Sequence, residues 1–322
     1  TTPGSGTPHT LPDVAMVPPS LGLAVSYGRD VALYTNNGGA TWTEQSTGQS
    51  EERLNAIASV DGAHAVAVGG GGLVYTTDDA GSTWSLMGSG IRANWRDVAI
   101  LGEDRAVAVG DGGTVVKTVD GGATWMPVPV STSHPLLAVH LGPGSTGLAC
   151  GDYGTILRSN DSGDTWSEYN IGSSHQLTDI HTQDGVHAVA VGWWGMILNS
   201  DDGGATWTAR DSGYTNHLYG VWMINATDAV AVGANGLSLR STDGGVTWTP
   251  VTNPATQRLM RVRFVNDDVG FIIGRGTPII LRTADGGVTW EKYGGSLGGT
   301  GGFADLAFQD ESLGLIVGTG EM

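Results

Sequence analysis

An eight-residue motif recurs seven times in this chain, and its spacing constrains the fold more than any other feature. The consensus is Ser/Thr-x-Asp-x-Gly-x-Thr-Trp, as in the segment 241–248. A fixed period of about 41 residues indicates a repeat architecture, in which each repeat is one structural unit that packs against the next. Successive copies end 41 or 42 residues apart, at Trp42, Trp84, Trp125, Trp166, Trp207, Trp248 and Trp290.

The residue types of the motif are those of a tight turn between two strands. Its third residue is suited to accept hydrogen bonds from backbone N–H groups, and Gly supplies the positive φ that such turns need. The Thr begins a returning strand, and the Trp wedges between neighbouring repeats. Seven identical sites do not form one active centre. We therefore interpret the third-position residues as structural: Asn37, Asp79, Asp120, Asp161, Asp202, Asp243 and Asp285.

Each repeat also carries four short strand patterns. In the repeat around Trp84, the segments 54–60, 64–68 and 73–76 are strand-like, and the motif leads into a fourth strand at 83–86. Four-stranded sheets repeated radially form a β-propeller. The prediction is an all-β protein, a β-propeller of four-stranded antiparallel blades. Residues 11–322 form this single domain and follow a flexible N-terminal linker over residues 1–10.

The number of blades follows from the number of motifs. Seven copies predict seven blades, but a further pair of strand patterns spans residues 303–317, and no eighth motif follows it. Two arrangements remain open at this point. We favour seven blades with a surplus hairpin, and the alternative is eight blades with an incomplete last one.

The motif resembles the Asp-box, or bacterial neuraminidase repeat, of sialidase-type propellers. The longer unit, as in segments 231–248 and 110–125, is similar to the repeats of photosystem II assembly-factor propellers. The resemblance covers about residues 11–318. Propellers with Asp-boxes include hydrolases, receptors and assembly factors, so the fold does not fix the function. The resemblance implies a non-catalytic subunit that docks on a membrane protein complex, with a photosynthetic reaction centre or photosystem as partner.

Composition narrows the range of partners. The formal net charge of −17 disfavours nucleic acid, whose phosphates would be repelled. No segment has the ~18 consecutive apolar residues of a membrane-spanning helix, so we expect no transmembrane span. Cys150 is the single cysteine and stands where other repeats carry Val, which indicates a small buried side chain. We expect an extracytoplasmic protein of the periplasm or lumen, peripheral to a membrane.

The loops between the second and third strands depart most from the repeat. Most of them contain Gly, Asp, Ala or Asn, whereas one contains Trp193 and Trp194, and the preceding one contains Tyr153. Aromatic residues are enriched in interface hot spots. We therefore predict that these three residues bind a partner protein.

Basic residues stand out against the acidic background and complete the predicted partner surface. Photosystem assembly-factor propellers carry an arginine patch that docks on a photosynthetic membrane complex, and the resemblance implies a patch of this type. The remaining predicted partner-binding residues are Arg92, Trp95, Arg96, Arg258, Arg261 and Arg275.

Enzymatic activity is the main alternative. Sialidases bind the substrate carboxylate with three Arg, the first in an Arg-Ile-Pro motif that this chain lacks. Xyloglucanase-type relatives use two Asp across a cleft between two propellers. Asp97, Asp179 and Asp305 occupy equivalent first-strand positions here, but only one propeller is predicted. We expect no catalytic residue, although a glycoside hydrolase and a carbohydrate- or cell-surface-binding propeller stay open as alternatives.

Metal binding is the other alternative. His134, His175 and His217 lie in corresponding loops of neighbouring repeats. No Cys or carboxylate pattern accompanies them in the way that a zinc site requires. We therefore expect no metal and no cofactor.

Overall fold

The computed structural model of the chain describes residues 10–17, 20–27, 31–46, 52–60, 63–294 and 301–319. Apart from Thr10, the predicted linker lies outside these ranges. Within them, the secondary structure consists of thirty strands and six short 3-10 turns, without an α-helix. The 3-10 turns are Gly70–Gly72, Asp111–Gly113, Pro143–Ser145, Asp152–Gly154, Trp193–Gly195 and Ala234–Gly236.

The strands form seven four-stranded antiparallel blades that follow one another along the chain. Blades 1 to 3 contain β1 (Asp13–Val17), β2 (Leu21–Val25), β3 (Val31–Thr35), β4 (Thr43–Ser46), β5 (Leu54–Ser59), β6 (Ala65–Gly69), β7 (Leu73–Thr77), β8 (Ser85–Gly88), β9 (Trp95–Leu101), β10 (Arg105–Gly110), β11 (Thr114–Thr118) and β12 (Met126–Pro127). Blades 4 to 7 contain β13 (Leu136–Leu141), β14 (Gly147–Gly151), β15 (Thr155–Ser159), β16 (Ser167–Asn170), β17 (Leu177–Thr182), β18 (Ala188–Gly192), β19 (Ile197–Ser200), β20 (Thr208–Arg210), β21 (Leu218–Met223), β22 (Ala229–Gly233), β23 (Ser238–Ser241), β24 (Thr249–Pro250), β25 (Arg258–Phe264), β26 (Val269–Arg275), β27 (Ile279–Ala284) and β28 (Glu291–Lys292). The predicted propeller of seven four-stranded blades is confirmed.

The hydrophobic core lies between the blades. The second strands β6, β18 and β22 each read Ala-Val-Ala-Val-Gly and are buried along their whole length. Such continuous apolar runs suit strands that are covered on both faces. The Trp of each Asp-box in blades 2 to 7 shares a hydrophobic cluster with the preceding blade, as Trp125 does with Val66 and Val74 of blade 2, and Trp42 of blade 1 lies with Leu315 of the last strand.

The Asp-box holds the turn between the third and fourth strands through a fixed set of hydrogen bonds. In blade 5, Asp202 Oδ1 accepts the backbone N–H of Thr206 at 2.9 Å, and Oδ2 accepts the Thr206 hydroxyl at 2.6 Å. The Ser200 hydroxyl donates to Asp202 Oδ1 at 2.8 Å. Trp207 then donates its Nε1–H to the carbonyl of Gly204 at 3.0 Å. Asn37 accepts the Thr41 N–H in the same way at 2.9 Å, so the substituted copy keeps the turn.

The last two strands, β29 (Gly302–Phe308) and β30 (Gly314–Thr319), form a surplus hairpin. The strand β29 lies between β25 of blade 7 and β1 of blade 1, so the hairpin takes an eighth place in the ring. Its link to blade 1 is the one used between blades. Leu11 N–H donates to Gly318 O at 3.0 Å, just as Leu54 N–H of blade 2 donates to Ser26 O of blade 1 at 3.2 Å.

Candidate functional site

The two faces of the ring carry different connections. The loop face contains the connections from the second to the third strand of each blade, and from the fourth strand to the next blade. The box face contains the Asp-box turns and the connections from the first to the second strand. Because strand direction alternates within each blade, every predicted partner-binding loop lies on the loop face.

Five of the second-to-third-strand connections are 3-10 turns whose middle residue has a left-handed backbone. In blades 2 and 3 the middle residue is Gly, with φ of 64° and 70°. Non-glycine residues disfavour this region, and exposed residues held there often belong to functional sites. Blades 4 to 6 place three larger residues in the same conformation: Tyr153 (φ 56°), Trp194 (φ 60°) and Asn235 (φ 58°).

The third residue of each turn is Gly because the chain of the following connection passes very close to it. A Cβ atom added to Gly195 would lie only 1.9 Å from the carbonyl oxygen of Tyr214. The turn of blade 5 is therefore locked against the connection to blade 6. This contact fixes the direction in which Trp193 and Trp194 project.

Trp193 and Trp194 form an exposed aromatic pair that His217 supports. Their exposed fractions are 40 % and 56 %. Trp194 N–H donates to His217 Nδ1 at 3.0 Å, and the His217 ring lies 5.1 Å from Trp193 and 5.2 Å from Trp194. The imidazole thus holds the strained turn in place and stiffens both indole rings. His217 drew attention in the sequence only as a metal ligand, and its role in holding this turn was missed.

Tyr153 extends the aromatic surface on blade 4. Its side chain is 53 % exposed, and its ring lies 4.7 Å from the ring of His134. His175 lies between the two blades, with its ring 6.3 Å from that of Trp194. We call Tyr153, Trp193 and Trp194 the aromatic patch. The three loop histidines support this patch, and in the described part of the chain no His, Cys, Asp and Glu cluster has the arrangement of a metal site.

The predicted basic and aromatic group of blade 3 is only partly available. Trp95 is completely buried, at 0 % exposure, so the prediction that it contacts a partner is wrong. Trp95 begins the first strand of its blade and pairs with Gly110, the last residue of the second strand. In blade 4 the equivalent residue is the inward-facing Leu136, which pairs with Gly151. Arg96 is exposed but forms a bidentate ion pair with Asp111, at 2.8 and 3.0 Å. Arg92 is exposed and forms no ion pair among the described residues.

The three arginines of blade 7 occupy two locations. Arg258 and Arg275 are exposed cross-strand neighbours at the loop-face end of the blade. Like charges directly opposite one another repel, so this pair favours an anionic partner. Arg261 instead points into the channel, where its Nε lies 3.7 Å from Asp305 Oδ1. Arg261 therefore lies apart from the Arg258–Arg275 pair, with its charge among the channel carboxylates, and its contact with a partner stays a prediction.

The channel is lined by carboxylates that join the blades in pairs. Asp97 of blade 3 accepts the N–H of Val98 at 2.9 Å and the N–H of Val139 in blade 4 at 2.8 Å. Asp179 joins blade 5 to blade 6 in the same way, and Asp13 joins blade 1 to blade 2. The equivalent residues of blades 2, 4 and 6, which donate these N–H groups, are small: Ala56, Ala138 and Gly220.

The carboxylates of these pairings act as backbone acceptors. Burial raises the pKa of Asp97 to about 7, against the lowering effect of its two backbone hydrogen bonds. Burial also raises the pKa of Asp13 well above its ordinary value, and Asp305 raises it further. Since Asp97 and Asp179 each bond to two backbone N–H groups, their positions are explained by blade-to-blade bonding.

A second layer of side chains narrows the channel on the side of blades 4 to 7. His140 bonds to the Thr182 carbonyl at 2.8 Å, and His181 Nδ1 accepts the N–H of Met223 at 3.1 Å. The His181 ring stacks on Trp222 at 4.0 Å. Burial lowers the pKa of both histidines, which keeps them neutral at pH 7. The remaining channel cavity measures about 460 Å³ and has a polar lining.

Comparison with known families identifies the chain. The model of the family described as photosynthesis system II assembly factor YCF48 matches residues 5–125, 165–254 and 213–298, which is well over half of the sequence. The chain belongs to this family. Among curated proteins, no sequence matches it.

Solved structures show the same fold at low sequence identity. YCF48 from Cyanidioschyzon merolae is 19 % identical with a TM-score of 0.63, and the match covers 87 % of this chain and 94 % of that one. A YCF48 structure with a bound D1 peptide is 21 % identical with a TM-score of 0.67, covering 87 % and 95 %. Sqt1 from Chaetomium thermophilum is 13 % identical with a TM-score of 0.77, covering 98 % and 96 %. In the described part of the chain, no helix is long and apolar enough to cross a membrane.

Proposed function

We propose that the chain is a non-catalytic subunit or assembly factor that docks on a photosynthetic membrane protein complex through its loop face. The proposal places it on the extracytoplasmic side of the membrane, in the periplasm or lumen. Family membership supports the class of function, and one structural relative is a YCF48 bound to a D1 peptide. The partner of this chain is inferred from that relationship.

The aromatic patch is the observation that carries the docking surface. Two Trp side chains stand exposed on this turn, and Trp194 adopts a left-handed backbone, which strains residues with a side chain and for which blades 2 and 3 use Gly. Selection for stability alone would favour Gly at this position. Exposed indole rings held rigid by an imidazole suit a protein interface, where a few aromatic anchors carry most of the affinity.

Charge assists the docking. Arg92 and the Arg258–Arg275 pair are exposed on the same face without an ion pair among the described residues. Against a net charge of −17 they form local positive sites. Such sites steer an anionic partner surface and act mainly on the association rate. Arg96 contributes less because Asp111 already pairs with its guanidinium.

The test uses a double variant, Trp193→Ala with Trp194→Ala. We expect it to fold normally and to lose at least ~2 kcal/mol of binding free energy to the photosynthetic complex purified from the same organism. Interferometry at two salt concentrations measures the affinity, and Arg92→Glu should reduce the association rate mostly at low salt.

The matched control is Val288→Ala, which removes an exposed apolar side chain on the box face. This variant should bind like the wild type. Unchanged binding by the double Trp variant would show that the partner uses another surface. Absence of binding by the wild-type protein would contradict the proposed partner.

A further inference from the structure

The channel cavity exists because one half of the ring carries small residues where the other half carries large ones. Two residues beyond the position of the channel carboxylates, blade 3 and the surplus hairpin have Ala99 and Ala307. At the same position blades 5, 6 and 7 have His181, Trp222 and Arg263. The space that remains, about 460 Å³, falls in the ~300–1,000 Å³ range of small-molecule sites.

The wall with the large residues presents hydrogen-bond donors that lack acceptors. His181 is only 4 % exposed, and its Nδ1 accepts the Met223 N–H, so Nε2 carries the proton of the neutral ring. This Nε2–H has no acceptor among the described residues. The guanidinium of Arg263 lies 5.1 Å over the Trp222 ring and donates only to the Val262 carbonyl, at 3.2 Å. Arg263 forms no ion pair within the described part of the chain, so its charge is available to an anion.

The wall of the surplus hairpin presents acceptors that lack donors. Asp305 is 7 % exposed, and its Oδ1 accepts no hydrogen bond among the described residues, since Arg261 Nε at 3.7 Å is too distant. The backbone donor that blade 1 would offer, the Val14 N–H, already bonds to Asp13 at 3.0 Å. Gln309 Oε1 lines the same cavity and is also buried without a donor. A ligand that brings donors would remove the cost of these buried acceptors.

Donors and acceptors without partners in one cavity require a ligand that carries both kinds of group. We propose that the channel cavity binds a small zwitterion, an amino acid or a short peptide, whose ammonium donates to Asp305 and whose carboxylate accepts from Arg263. The strands β25 and β29 are neighbours, and Arg263 lies two residues, ~7 Å, further along its strand than the position of Asp305. His181 Nε2–H and Gln309 Oε1 bond to the remaining polar groups of the ligand.

The entrance to this cavity lies on the box face. Val265 and Gln309 line the cavity and directly follow β25 and β29, whose last residues lead into the connections of that face. The aromatic patch lies on the opposite face of the ring. Docking through the loop face therefore leaves the entrance free, and the proposed site does not rest on the proposed function.

Calorimetric titration of the full-length protein tests the site. The probes are the standard L-amino acids, one at a time, and alanyl-alanine, so that the two sources of the zwitterion are distinguished. We expect saturable binding of at least one probe. Arg263→Gln should weaken the binding of that probe at least ~tenfold, because it removes a charge-assisted hydrogen bond. The matched control is Arg258→Gln, which removes an exposed Arg of the same strand outside the cavity.

Asp305→Asn tests the other end of the ligand and should also weaken binding at least ~tenfold. Its control is Asp267→Asn, which neutralises an exposed carboxylate of the box face. Thermal unfolding shows whether each variant is folded. Arg263 is only partly buried, so its variant tests the proposal even if Asp305→Asn does not fold.

Chemical changes to the ligand assign its two ends. The carboxamide of the bound probe lacks the anionic group, so it should bind weakly and lose nothing further in Arg263→Gln. The N-acetyl derivative lacks the ammonium group and should be insensitive to Asp305→Asn. The double Trp193 and Trp194 variant should bind the probe normally, which separates this site from the docking surface.

Three results would overturn the proposal. The first is that the wild-type protein binds none of the probes saturably. The second is that folded Arg263→Gln protein binds the probe as tightly as the wild type does. The third is that the carboxamide binds as tightly as the unmodified probe, because the carboxylate would then have no part in recognition.

Discussion

The Asp-box turns and the turns of the loop face have the same kind of tight backbone but follow opposite rules. In most boxes the left-handed positions are Gly, such as Gly244 and Gly245 of blade 6, and the side chains bond within the turn. On the loop face of blades 4 to 6, the left-handed position carries Tyr153, Trp194 and Asn235. The box turns bond inward, whereas the aromatic turns project large side chains into solvent.

This difference separates stability from recognition. A box places the carboxylate, the hydroxyls and the turn N–H groups of its motif in local hydrogen bonds, so little is left for a partner. The aromatic turns accept backbone strain and exposed apolar area, both of which lower stability when the protein is free. The best candidates for binding are therefore residues that lower the stability of their own repeat, at positions where the other repeats carry a residue without this cost.

The largest expected effect on stability comes from removing a box carboxylate. Asp202→Ala leaves the Thr206 N–H and hydroxyl without their acceptor and should lower the free energy of unfolding by about 1–2 kcal/mol. Partner binding should not change. Urea unfolding measures the first quantity and interferometry the second. Asp201→Ala is the matched control, since it removes an exposed neighbouring carboxylate outside the motif.

Two other outcomes would contradict the distinction between stabilising box turns and binding loop-face turns. If Asp202→Ala unfolded like the wild type but lost its partner, the box face would be the docking surface. Equal destabilisation by Asp201→Ala would mean that net charge, rather than the turn hydrogen bonds, controls stability here.

The second prediction concerns pH: box carboxylates and channel carboxylates should change the free energy of unfolding in opposite ways as pH varies. Hydrogen bonds from Thr83 lower the pKa of Asp79, so its contribution to stability is lost as pH falls through that lowered value. Asp97 behaves in the opposite way because burial raises its pKa to about 7. Between pH ~4 and ~7 the folded chain holds a proton that the unfolded chain has lost, so the free energy of unfolding falls as pH rises.

Chemical denaturation across this pH range, with Asp97→Asn for comparison, measures the contribution of that carboxyl. The variant is expected to be less stable overall, since an amide cannot accept both backbone N–H groups, but its profile should be flatter. Below their ordinary pKa, the buried neutral histidines His140 and His181 make the free energy of unfolding rise with pH, which opposes the effect of Asp97. Carbon NMR of the Asp97 carboxyl therefore gives its pKa directly. A carboxyl that titrates near 4 would refute the prediction.

The smallest effects concern backbone strain in the loop-face turns. Trp194→Gly should raise the free energy of unfolding by up to ~1 kcal/mol, because Gly adopts the left-handed backbone without strain. Gly112→Ala should lower it by about the same amount, since Gly112 has a φ of 70° and a Cβ added there would meet no neighbour within 4 Å. Thermal unfolding of the two variants and of the wild type measures both changes in stability. If Trp194→Gly were destabilising, packing on His217 would outweigh the strain.

The fold was predictable because the interactions that define it are local and repeated. The bonds of Asp202 to Ser200 and Thr206 all fall within one motif, so the motif alone indicated the turn. The fixed period then supplied the number of complete blades. The surplus strand pair at residues 303–317 was also visible, although its place between blades 7 and 1 required the structure.

The exposed residues of the candidate site were predictable only where a residue departed from its repeat equivalents on the surface. Trp193, Trp194 and Tyr153 are such residues, and all three are exposed. Trp95 also departs from its equivalents, but it fills an inward position where another blade carries Leu136, a signal that repeat alignment could have given. The role of His217 depends on contacts between blades, which no local pattern records.

The alternation of channel residues has a consequence for how a gene of this type changes length. Asp13, Asp97 and Asp179 each bond to a blade that has Ala or Gly at the same position. Loss of one repeat, for example that of blade 2, would set two carboxylate-bearing blades side by side. The N–H that the first Asp needs would already be bound by the second, as Val98 N–H is by Asp97. Within blades 1 to 6, loss or duplication of two repeats together keeps donors and acceptors matched. Where the ring closes, the surplus hairpin already sets Asp305 beside Asp13, and Asp305 raises the pKa of the Asp13 carboxyl.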